Sequence, residues 1–86
     1  MSDLKDKLIS EVTVGARHKE TWNSICQPFY DAKQKQLYEA FLLTDSSDAA
    51  KLQLIKLQSN VLEGMRQHFM TFIETGRMAE LQLNNE

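Results

Sequence analysis

The stretch whose reading decides the fold is Ser47 to Thr75, SDAAKLQLIKLQSNVLEGMRQHFMTFIET. Leu52, Ile55, Leu62, Phe69 and Ile73 recur at steps of three, four and seven, one stripe of a 3.6-residue period. Leu54, Leu57, Val61, Met65 and Phe72 form a second stripe beside it. Together the stripes span an apolar arc of roughly 220°, against roughly 100° for an ordinary surface helix. The residues Gln53, Lys56, Asn60, Glu63, Gln67, Thr71 and Glu74 make up the narrow polar remainder. A helix of this kind needs cover on two sides.

Working outward, Thr44-Asp45-Ser46-Ser47-Asp48 is the clearest punctuation in the chain. Threonine, aspartate and serine favour turns and caps because their short side chains bond nearby backbone, so the N-cap is expected at Ser46 or Ser47. Upstream, Ala16 to Leu43 is again helical, with Trp22, Ile25, Cys26, Phe29, Ala32, Leu37, Ala40 and Phe41 on one face. Pro28 interrupts it, since it lacks an N–H and its ring crowds the preceding turn. A kink near Pro28 is favoured over a break, because no Gly or Asn stands beside it to make a turn. Leu4, Leu8, Ile9 and Val12 predict a short helix over Asp3–Val12, begun by Ser2 as N-cap and ended by Gly15 in a left-handed cap. Gly76 is expected to stop the long helix, leaving 77–86 as a frayed tail.

These elements predict a single all-α domain over residues 1–86. Its frame is an antiparallel hairpin of helices 16–43 and 47–75, carrying the short N-terminal helix on one side. The two long helices are of nearly equal length, which at ~1.5 Å per residue gives arms of about 40 Å. Folding at the turn sets Phe41 near Ala50, Leu37 near Leu54, Phe29 near Leu62 and Trp22 near Phe69. Pro28 then faces Glu63-Gly64, and Gly64, costing about 1 kcal/mol relative to alanine inside a helix, offers a close approach where the facing helix bends.

Composition narrows the function classes. The 86 residues are 42% hydrophobic and 26% charged, too apolar for disorder. A chain of this size buries about 60–65% of its unfolded surface, which leaves modest stability unless a partner adds contact. Ten basic residues against twelve acidic ones, interspersed, give a net charge of −2, which offers no general attraction to nucleic acid or anionic membranes. The run Arg17-His18-Lys19 and the pairs Lys33/Lys35 and Lys51/Lys56 read as solvated surface, with Glu20, Asp31 and Glu39 among them. The aromatics Trp22, Phe29, Tyr30, Phe41, Phe69 and Phe72 lie on apolar faces and read as core. A lone cysteine, Cys26, cannot form an intramolecular disulfide and suits a reducing cytoplasm. No apolar run is long enough to span a membrane, and MSDLKDKL lacks the apolar core of a signal peptide.

Chemistry-bearing residues are sparse. His18, Cys26 and His68 are the candidates for metal or nucleophilic roles, and the pairing above sets His18 and His68 more than a helical turn apart. No Cys-x-x-Cys, His-x-x-x-His or Glu-x-x-His pair holds a metal, and the scattered glycines make no phosphate loop. No catalytic residue, cofactor, metal or small-molecule substrate is therefore expected. The partners expected are a second copy of the chain and another protein, with Leu54, Leu57, Val61, Met65 and Phe72 as the self-association face.

At the C-terminal end of the long helix, Phe72-Ile73-Glu74-Thr75-Gly76-Arg77-Met78-Ala79 resembles the close of small helical-hairpin proteins found in tailed-phage genomes. The likeness covers the last third of the chain. It implies a small non-enzymatic phage protein made in the host cytoplasm, a virion-assembly or accessory component, and carries no functional residue across. The alternatives are a phage-type regulator or inhibitor docking on a host protein, and a small nucleic-acid-associated regulator.

Overall fold

A computed structural model describes residues 2–85, and among them every regular element is helical. Helix α1 spans Ser2–Thr21 and runs without a gap into a π-helical turn, Trp22–Cys26, and then into α2, Gln27–Leu43. A short link leads to α3, Ala49–Asn84. The chain is thus two long helical arms, with overall extents of 62 × 21 × 16 Å. No described helix is long and apolar enough to cross a membrane.

The arms lie side by side, and their contacts run in opposite sequence order. Gly15 meets Gly76, Trp22 meets Phe69, and Tyr30 meets Glu63. Toward the chain ends α1 packs closely on α3, whereas α2 touches α3 more sparsely near the link. Side-chain size explains the difference, since the distance between helix axes follows the residues at the contact. Gly15, Gly76 and Ala79 are buried at the close end, while Leu37 and Leu62 hold the other end apart. Among the described residues the buried apolar side chains are Leu8, Trp22, Leu37, Leu62 and Ala79.

The separate N-terminal helix over 3–12 is replaced by one helix that continues through Gly15 to Thr21. No glycine among the described residues has positive φ, so Gly15 does not terminate anything. It serves close approach instead: a Cβ on Gly15 would lie 2.8 Å from the Gly76 Cα and 2.9 Å from the Phe72 carbonyl oxygen. Gly76 likewise fails to end α3, which runs on to Asn84, so residues expected as a frayed tail are helical. Gly64, expected at a close approach, has nothing within 4 Å of where its Cβ would be. The side chain of Ser2 and the whole of Glu86 lie outside the described residues.

Pro28 is the second residue of α2, directly after the π turn, and its missing N–H leaves one backbone bond of the continuous arm unmade. The preceding turn widens to the π form, with the Gln27 N–H donating to the Trp22 carbonyl. A wider turn moves the carbonyl that a proline ring would strike, so the arm continues where a regular helix would be broken. In the link, the Asp45 carboxylate accepts from the Ser47 N–H at 2.9 Å and the Ser47 hydroxyl at 2.7 Å. Asp48, not Ser46 or Ser47, caps α3 by accepting from the Lys51 N–H at 3.1 Å. A carboxylate at that position also suits the positive end of the helix dipole.

Candidate docking face

The sparse packing of α2 on α3 leaves an open groove of about 410 Å³ on one side of the seam. Phe29, Lys33 and Leu37 line it from α2, and Leu57, Gln58, Val61, Leu62 and Met65 from α3. Leu37 and Leu62 form its buried floor, while the rest rise around it. At 100° per residue Leu54 continues the α3 side toward the link, and Ala40 and Leu43 continue the α2 side. Val61 is 75% exposed and Leu43 85%, and Phe29, Leu54 and Leu57 are each more than half exposed. The face is about 20 Å long, judged from the rise between Phe29 and Leu43. Lys33 is its single charged lining residue, and its aliphatic stem can lie along the groove with the ammonium at the rim.

Four of the five residues expected to form the association face, Leu54, Leu57, Val61 and Met65, therefore share one side of the molecule. Phe72 does not join them in the groove. Its ring stacks on His18 with centroids 4.3 Å apart and planes 13° from parallel. Leu54, expected to pair with Leu37, is 54% exposed. Phe29 and Phe41, expected on a covered face, are also exposed. Phe29 was identifiable as part of the groove only through its position across from Val61, which no periodicity within one helix reveals.

The opposite side of the seam has a second apolar depression, lined mainly by Tyr38, Phe41, Leu52 and Ile55. Beyond both, toward the chain ends, the aromatic rings gather. Trp22 is buried between Tyr30 and Phe69, with centroids 5.6 and 5.7 Å away. His18 and His68, expected more than a turn apart, have ring centroids 6.2 Å apart. His18 Nδ1 lies 2.8 Å from the Val14 carbonyl oxygen, which occupies that nitrogen within its own helix. No group of three or more His, Cys, Asp or Glu residues suited to a metal occurs among the described residues.

One polar network ties the arms together. Glu63 accepts from Arg66 at 2.6 Å and from Gln67 at 3.2 Å on its own helix, and from the Tyr30 hydroxyl across the seam at 3.0 Å. The Arg66 hydrogen bond, then those from Gln67 and Tyr30, hold the Glu63 carboxyl down to about 2. Tyr30 is pushed up, first by desolvation and then by its bond to Glu63.

No family model, no curated protein and no solved structure matches the chain.

Proposed function

We propose that this chain is a non-catalytic helical interaction protein whose working surface is the groove between α2 and α3, with Leu57, Val61 and Phe29 at its centre. The observation that carries the reading is the exposure of large apolar residues in one continuous face, which soluble chains present mainly where another surface covers them. The character of the groove agrees: its lining offers one lysine and one glutamine amid aliphatic and aromatic side chains, and no acid–base pair. The likeness of Phe72–Ala79 to small phage helical-hairpin proteins favours an assembly or accessory setting over a metabolic one.

A photo-crosslinking amino acid placed at Val61 in the full chain, expressed in cells, tests this reading. Covalent adducts are expected from position 61, and none from a control at Gln53 on the polar strip of α3. A folded protein giving no adduct from position 61 overturns the proposal.

A further inference from the structure

We infer that the occupant of this groove is the same groove of a second copy, the two forming a two-fold, local four-helix bundle over the link-proximal half. The inference rests on the docking reading above and adds the identity of the partner.

Surface area argues for it first. The chain presents 6584 Å² to solvent. A compact monomer of 9.9 kDa presents about 5,200 Å², leaving an excess of about 1,400 Å². That excess is spread over the whole elongated chain, and a specific interface of standard size needs only about 800 Å² of it on each copy.

The kind of surface points the same way. Transient interfaces are about as polar as the rest of a protein, whereas permanent homodimer interfaces resemble a core cut in half. Here the exposed apolar groove residues adjoin the two buried floor residues, Leu37 and Leu62, and only Lys33 and Gln58 in the lining are polar. Among the described residues only three other side chains are buried, so the groove is the missing part of a core rather than an addition to one. A cover needed for folding must be present whenever the chain is made, and another copy is the partner always present at equal concentration.

Symmetry and charge permit the match. A two-fold operation brings the identical patch onto itself, so one surface satisfies both copies. Long helices meeting in pairs pack as in a four-helix bundle, with apolar knobs from each arm filling the opposite groove. The net charge of −2 per chain gives little mutual repulsion. Lys33, the only charge lining the groove, stands at its rim and can keep its ammonium in water.

Sedimentation of the full chain over about 1 to about 100 µM, with circular dichroism alongside, tests the inference. Wild type should run at twice the chain mass. Val61→Glu and Phe29→Glu should each weaken association at least ~100-fold, because each buries an unpaired charge in both halves of the interface. Tyr38→Glu, on the opposite side of the seam, should remain a dimer. A dimer insensitive to Val61→Glu and dissociated by Tyr38→Glu overturns the inference by assigning the interface to the other side. A wild type monomeric throughout also overturns it, and the position-61 photo-adducts then separate the two readings. Adducts to a different protein leave the docking face standing without self-association. Absence of any adduct removes both.

Discussion

Gly15 and Gly76 face each other across the two arms so closely that a Cβ built on either would fall 2.8 to 2.9 Å from the other's Cα. Their lack of side chains sets the spacing of the whole close end. Backbone is what each added methyl would strike: the Phe72 carbonyl from Gly15, and the Glu11 carbonyl from Gly76. Backbone in a helix yields little.

Gly15→Ala and Gly76→Ala are therefore expected to destabilise the chain by about 1 to 3 kcal/mol, overriding the helix-propensity gain. Gly64→Ala should do the reverse. With nothing within 4 Å of its Cβ, it meets no obstacle and should gain about 0.5 to 1 kcal/mol. Thermal unfolding by circular dichroism at one fixed protein concentration distinguishes them. A Gly76→Ala variant as stable as wild type would show that the arms can separate freely at that point.

Trp22 should report this packing directly. It is 5% exposed and lies against Tyr30 and Phe69, and it is the only tryptophan in the chain. Its emission is expected to be blue-shifted in the native state and to move red in denaturant. Phe69→Ala should shift the native emission red, since it removes one wall of the site. Native emission already at the exposed wavelength would contradict the closeness of the arms there.

Acid should loosen the seam through Glu63. Its carboxyl titrates at about 2 in the folded chain against an ordinary value of 4.5. A depressed carboxyl contributes stability that is present above the ordinary value and lost as pH falls through the folded one. Stability should therefore drop between pH 4.5 and about 2, as protonation removes the acceptor shared by Arg66, Gln67 and Tyr30. Glu63→Gln should be less stable at neutral pH and flatter across that window in urea titrations. An unchanged acid limb in Glu63→Gln would assign the loss to other carboxylates.

Asp48→Ala should cost about 1 kcal/mol, the usual loss when a helix N-cap is removed. Ser47→Ala tests a different bond, since the Ser47 hydroxyl donates to Asp45 within the link and does not cap α3. Denaturant midpoints should fall more for Asp48→Ala than for Ser47→Ala. The reverse order would return the cap to the serine.

The sequence by itself determined the helical class, because apolar residues at steps of three, four and seven have only one regular solution. It also determined where the chain reverses, since the Asp45 and Asp48 carboxylates accept from backbone N–H groups within three residues of themselves and need no distant partner. The apolar stripe of Leu54, Leu57, Val61 and Met65 was legible for the same reason, being a property of one helix. Tertiary structure alone decided what the glycines do. Seen locally, Gly15 before a polar run and Gly76 before an arginine fit left-handed caps as well as they fit close contacts. Only the opposing backbone, at 2.8 to 2.9 Å from an added Cβ, chooses between the two. It decided Phe72 as well, which belongs by period to the exposed stripe but meets the His18 ring at 4.3 Å. Periodicity gives the direction in which a side chain leaves its helix. Whether another arm is waiting there depends on how closely the helices approach, and that is set by small residues at one end and large ones at the other.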